Sequence, residues 1–185
     1  MDFSNGFSEG IEGYLSSKEN FNGVLFLLRE PNSSEQKRFW FKDCMEKEEK
    51  GSLSDESGVS KRQYTKYKKI FELLLEYTGI EGLQNCAYAN IKPDSGCNLV
   101  SAEYKTITDD EKADRMDSLF EVCNPKVVFV CSDMFDALIS KRNMQCSTGE
   151  GIRYNKTRLR KGSYNGITIF ETYHPSYRGS YPKRP

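Results

Sequence analysis

The stretch ITIFETYHPSYRG, residues 167–179, runs from apolar residues into a polar loop and reads as a buried strand, Ile167–Thr172, that ends at a candidate site. Isoleucine, phenylalanine and threonine all fit a pleated surface. His174 is the only histidine of the chain, and histidine is the side chain whose ordinary pKa lies nearest neutrality. Pro175 fixes the backbone, Ser176 offers a compact hydroxyl, and Arg178 offers a planar fork for phosphate or for stacking.

Three more apolar runs precede this one. They are Gly23–Leu28, Asn85–Ile91 and Lys126–Cys131, each short and continuous, as expected of strands covered on both faces. Between them lie helical patterns. Tyr64, Tyr67, Ile70, Phe71, Leu74 and Leu75 repeat at helical spacing, and Gly79 supplies a stop. Thr108 and Glu111 form a capping box for a helix with Met116, Leu119, Phe120 and Val122 inward, ended by Asn124-Pro125. Ser132 is a candidate cap for a short helix carrying Phe135, Leu138 and Ile139.

Residues 1–20 read as a helix or an irregular lead-in, and residues 46–62 as a charged, exposed and mobile insertion in a single domain, 1–185. Strands alternating with helices predict an α/β fold, a three-layer α/β/α sandwich with a central four-stranded parallel sheet. Ligands of such sheets bind beyond the carboxyl ends of the strands. Here those ends are LREPN, NIKPD, CSD and YHPSYRG.

The composition, 37% apolar with 11 Phe and 11 Tyr in 185 residues, excludes a disordered chain. No apolar run has the length of a membrane span. The start, MDFSNGFSEG, has no basic region followed by an apolar one, so neither a signal peptide nor a membrane partner is expected, and a cytoplasmic location is. Cys44, Cys86, Cys97, Cys123, Cys131 and Cys146 form no CxxC pair, so the expectation is free, reduced, buried thiols and no metal. The net charge is zero, but ten Lys/Arg against Glu150 and Glu171 give residues 141–185 a balance of +8, leaving −8 on residues 1–140. A basic third around the lone histidine suits a polyanion, and equally a solvated loop.

The motifs resemble those of the uracil-DNA glycosylase superfamily, whose members share a four-stranded parallel α/β/α sandwich. Leu28-Arg29-Glu30-Pro31-Asn32 is similar to the family's first motif, Ala89-Asn90-Ile91-Lys92-Pro93 to its base-reading asparagine strand, and Tyr173-His174-Pro175-Ser176-Tyr177-Arg178 to its last motif. The likeness spans roughly residues 21–180. Two departures stand out. The family usually has glycine on either side of the motif-one proline, where this chain has Leu28 and Asn32. Glu30 falls on one catalytic position of the family, and Arg29 replaces the carboxylate of the other. The cysteine set of the iron–sulfur branches is absent near the N-terminus, so no cofactor is expected.

The resemblance implies hydrolysis of the N-glycosidic bond of uracil or a related damaged base flipped out of DNA. Cleavage builds positive charge on the sugar and negative charge on the base, so an anion is needed on one side and a donor on the other. Glu30 can hold a water against the anomeric carbon, or simply pair with a basic neighbour. His174 can donate to the departing base, or simply order its loop. Asn90 carries an acceptor and donors that match a uracil edge, and asparagine is also a common turn residue. With Asn90, the expected base-binding residues are Pro31, Asn32 and Phe39, the last as a stacking ring.

Ser176 and Arg178 are the expected DNA contacts at the motif, with Arg178 filling the gap left by the flipped base. Arg158, Arg160 and Lys161, with Arg153 and Lys156, would give sequence-independent backbone affinity. A monomer is the favoured state. Two other readings fit the same residues. One is a non-catalytic nucleic-acid- or protein-binding member of the fold, and the other a hydrolase of a small nucleoside or nucleotide.

Overall fold

The four apolar runs become four neighbouring parallel strands. The computed structural model describes residues 11–13, 20–29, 40–54, 61–92, 102–175 and 181–185. Its strands are β1 (Ile11–Gly13), β2 (Val24–Leu28), β3 (Ala87–Asn90), β4 (Val127–Cys131), β5 (Gln145–Ser147), β6 (Arg153–Tyr154), β7 (Thr157–Arg158), β8 (Lys161–Tyr164) and β9 (Ile167–Thr172). Its helices are α1 (Trp40–Glu49), α2 (Lys61–Leu75), α3 (Ala102–Thr106), α4 (Asp109–Cys123) and α5 (Ser132–Arg142). The central order is β3-β2-β4-β9, all parallel.

The two faces of this sheet are chemically different. On one face Tyr88, Phe26, Phe129 and Phe170 are register partners across all four strands. Their rings stack at 5.3, 5.0 and 5.4 Å between successive neighbours. Phe71 of α2 closes on Phe26 at 4.3 Å, and Phe41 of α1 meets Phe71 edge-on at 5.1 Å. Aromatic pairs of this kind add about 0.5–1.5 kcal/mol each beyond the area they bury. On the other face Leu25, Leu27, Ala87, Ala89, Val128, Val130 and Ile169 pack against α3, α4 and α5. Helices thus cover both faces, α1 and α2 the aromatic one and α3 to α5 the aliphatic one.

The helix-period reading of α2 agrees residue for residue with its buried face. Thr108 and Glu111 form the reciprocal capping box, and Asn124 ends α4 in the left-handed region.

Several expectations are corrected. The sheet is mixed rather than four-stranded and parallel. Among the described residues it has seven strands, β1 being antiparallel to β3 at one edge, and β8 and then β5 antiparallel beyond β9 at the other. The turn Asn165-Gly166, with φ of 50° and 79°, joins β8 to β9. Positive φ at both central residues suits the right-handed twist of a hairpin. Within the lead-in, read as a helix or irregular, the described residues Ile11–Gly13 form a strand, β1. Of the stretch 46–62, read as an exposed insertion, residues up to Glu49 belong to α1, Lys61 opens α2, and residues 55–60 lie outside the described residues. Ser132 does not cap α5, and its hydroxyl instead bonds Glu171.

Cys44, Cys86, Cys123 and Cys131 are buried free thiols, whereas Cys146 is exposed. Burial pushes the Cys131 thiol up to about 12. No described helix is long and apolar enough to cross a membrane.

Candidate functional site

Parallel strands place their carboxyl ends on one edge, and the described parts of the four quoted strand ends, Leu28-Arg29, Asn90-Ile91-Lys92, Cys131-Ser132-Asp133 and Tyr173-His174-Pro175, lie along it. Backbone pairing continues past the strands, with Ile91 N–H donating to the Leu28 carbonyl at 2.9 Å and Lys92 N–H to the Arg29 carbonyl at 2.9 Å. Leu28-Arg29 and Asn90-Ile91-Lys92 are therefore fixed side by side. Glu30, Pro31, Asn32, Phe39, Ser176 and Arg178 lie outside the described residues.

Asn90 ends β3 opposite Leu28 of β2. Strand alternation puts it on the aromatic face with Cys86 and Tyr88. It is 8% exposed, and its Oδ1 is buried without a hydrogen-bond partner among the described residues. Such an orphan is uncommon, because more than about 90% of buried polar groups are paired. A turn role does not account for an acceptor sealed from water.

His174 follows β9 at the other side of the same edge. Its ring meets the Tyr67 ring of α2 at 6.3 Å, nearly perpendicular, so it too lies toward the aromatic face. Burial is the main cause that lowers its pKa, to about 4, and the positive field of Arg29 and Lys66 adds to this while Asp133 opposes it. His174 is therefore a neutral imidazole at pH 7. Three strand spacings separate the β3 and β9 backbones, about 14 Å, with the ends of β2 and β4 between them.

Arg29 points to the aliphatic face and into a network that sequence reasoning did not select. Its guanidinium meets Asp133 Oδ1 at 3.0 Å from Nε and 2.9 Å from Nη2. Tyr104 donates to Asp133 Oδ2 at 2.7 Å, and Lys112 Nζ lies 3.7 Å from the same oxygen. Burial would raise the Asp133 carboxyl, but the Tyr104 hydrogen bond and the charges of Arg29 and Lys112 outweigh it and hold the group below its ordinary value. Burial would likewise lower the Arg29 pKa, and the charge and hydrogen bonds of Asp133 help to keep it above the usual guanidinium value. The strand end CSD was visible in the sequence, but nothing there names Tyr104 or Lys112 as partners.

The basic residues of the last third separate into two groups. Arg160 is held by Glu171, at 3.0 Å from each of two nitrogens, and by Asp136 at 2.7 Å. Burial would raise the Glu171 carboxyl, and the hydrogen bonds of Arg160 and Ser132 pull it below its ordinary value. Lys141 pairs with Asp110, and Arg142 with Asp114 and Asp117. Lys161 sits over the Phe170 ring at 5.6 Å. Arg158 is exposed on β7, opposite Arg153 on β6.

No family model matches this chain, and no curated protein matches it in sequence.

Proposed function

We propose that this protein is a DNA glycosylase of the uracil-DNA glycosylase type, acting on uracil or a related damaged base flipped out of DNA. The observation that carries the reading is the sealed, unpartnered Oδ1 of Asn90, on the same edge and the same face as a neutral His174. A buried acceptor with no donor is satisfied by a ligand that brings one, and the N3–H of a uracil ring is such a donor. The parallel order β3-β2-β4-β9 and the helices on both faces are consistent with the sandwich of that superfamily.

The chemistry divides between the two sides of the scissile bond. Glu30, immediately after Arg29, orients a water toward the anomeric carbon, accepts its proton and stabilises the cationic sugar. As the bond breaks, its electrons leave with the base. His174, neutral and a donor, hydrogen-bonds the oxygen on which that charge develops.

The test is base release from uracil-containing single- and double-stranded oligonucleotides, read as alkali-labile abasic sites. His174→Asn and Asn90→Ala are expected to lower the rate by about 100- to 1,000-fold each, and Glu30→Gln by a similar factor, with the fold retained by circular dichroism. Binding of DNA with no release from any damaged base would refute the reading in favour of a non-catalytic binding protein. Turnover of free nucleosides alone would refute it in favour of a small-substrate hydrolase.

A further inference from the structure

The β6–β7 hairpin places two arginines directly opposite each other. Arg153 and Arg158 are register partners, and so are Tyr154 and Thr157. Directly opposed like charges on one face of an antiparallel pair are destabilising. Lys156, at the turn between them, adds a third positive charge, and all three residues are exposed. Among the described residues no carboxylate lies within ion-pair distance of any of the three. The cations on the other side of this region differ, since Lys141, Arg142 and Arg160 each hold an acidic partner.

The hairpin is also fixed in place. Its base is closed by Gly151 N–H to the Leu159 carbonyl at 3.1 Å and by Leu159 N–H to the Ile152 carbonyl at 2.9 Å. A Cβ at Gly151 would stand 2.2 Å from the Leu159 oxygen, so only glycine allows this approach. Tyr154 turns inward, sharing a 2.8 Å hydrogen bond with Thr172 and meeting the Tyr173 ring edge-on at 4.7 Å. Thr172 and Tyr173 lead directly into His174. Tyr77, in the turn just after α2, ties the outer strand down, accepting from Arg153 N–H at 2.9 Å and donating to the Lys183 carbonyl at 2.7 Å.

We propose that Arg153, Lys156 and Arg158 form a docking rail for the sugar–phosphate backbone of a nucleic-acid strand whose neighbouring nucleotide enters the site at His174. The opposed arginines converge on phosphate, which relieves the repulsion that folding leaves in place. The rail excludes Arg160, whose fork is already engaged by two carboxylates, and it makes no base contact, so it is indifferent to sequence. The identity of the strand as DNA rests on the proposed glycosylase reading, and the rail itself does not require base release.

The test is the salt dependence of binding, by fluorescence anisotropy, to labelled oligothymidylate and to a duplex without damage. Each phosphate contact contributes about 0.7 to the log–log slope on single strands and about 0.9 on duplex. The triple variant Arg153→Gln, Lys156→Gln, Arg158→Gln is therefore expected to lose roughly 2 from the slope on single strands and nearly 3 on duplex. Arg142→Gln, which removes a cation already paired, is expected to leave the slope unchanged. Circular dichroism and urea unfolding should show the triple variant folded and no less stable. An unchanged slope in the folded triple variant overturns the proposal, as does an equal loss in Arg142→Gln. Salt-dependent binding without base release leaves the rail standing while refuting the glycosylase reading. Base release with an unchanged slope does the reverse.

Discussion

Moving from about pH 8 to about pH 5 is expected to destabilise this protein through one side chain, His174. Its pKa falls from 6.5 to about 4 on folding, mainly because burial penalises the imidazolium and secondarily because Arg29 and Lys66 are nearby. The folded value is depressed, so the unfolded chain takes up the proton first. The stabilisation is complete above pH 6.5 and is lost as the pH falls toward 4. That interval corresponds to about 3 kcal/mol, of which about 2 kcal/mol is gone by pH 5. The carboxyls of Asp133, Glu171 and Glu48 are also held below their ordinary values of 3.8, 4.5 and 4.5. Their contribution is present above those values and is lost only below them, so the upper part of the acid range isolates the histidine.

Urea unfolding reads this directly. With a slope of about 2 kcal/mol per molar for a domain of this size, the midpoint should fall by roughly 1 M between the two pH values. His174→Gln should show almost no such shift. Because the chain has a single histidine, the imidazole Hε1 proton gives one resonance in the NMR spectrum and its titration needs no assignment. A midpoint below 5 is expected, moving upward in Arg29→Gln as the repelling charge is removed. A midpoint near 6.5 in the folded protein, or an equal urea shift in His174→Gln, would refute the reasoning.

Asn90→Leu should stabilise the protein by about 1–3 kcal/mol, because it removes an acceptor that is desolvated and unpaired. Differential scanning calorimetry should show Tm rising by several degrees, while base release is lost. Phe71→Ala, which empties the centre of the ring cluster against Phe26, Phe41 and Tyr88, should cost about 3–5 kcal/mol in urea unfolding. A loss below 1 kcal/mol would mean that the cluster collapses onto the cavity.

The four parallel strands were legible because a strand buried on both faces must be apolar throughout, and VLFLL and VVFVC have few other readings. The α2 helix was legible because its period was uninterrupted over Tyr64 to Leu75. The edge strands were not. β8 is Lys-Gly-Ser-Tyr, a segment with no strand pattern of its own, and its conformation comes from pairing with β9. Asn165-Gly166 was the available signal, since that dipeptide before an apolar strand predicts a hairpin. The Arg29–Asp133 pair was hidden for a different reason. Its members are 104 residues apart and meet only when β2 and β4 lie side by side. A strand end shows in composition, whereas its partners show only in topology.

Two arrangements here oppose folding, and they lie on either side of the same histidine. Asn90 seals an acceptor with no donor, and Arg153 faces Arg158 across a two-residue ladder. Among the described residues, Asn90 Oδ1 has no donor, and Arg153 has the Asn155 carbonyl at 3.2 Å from Nε but no carboxylate; each has an obvious cure by substitution, leucine in the first case and glutamine in the second. Sequences are expected to agree with their fold at every level except where function intervenes. The two defects have opposite chemistry, one lacking a donor in a dry site and the other lacking an anion in a wet one. A nucleic-acid strand supplies both, a ring N–H for Asn90 from one nucleotide and a backbone phosphate for the arginines from its neighbour, whereas a purely structural protein gains nothing by keeping either. If Asn90→Leu and the hairpin triple variant each raise stability while lowering affinity for nucleic acid, the two sites are parts of one binding surface. If both substitutions are neutral for binding, the coincidence around His174 has no functional content and the proposal of a nucleic-acid substrate fails with it.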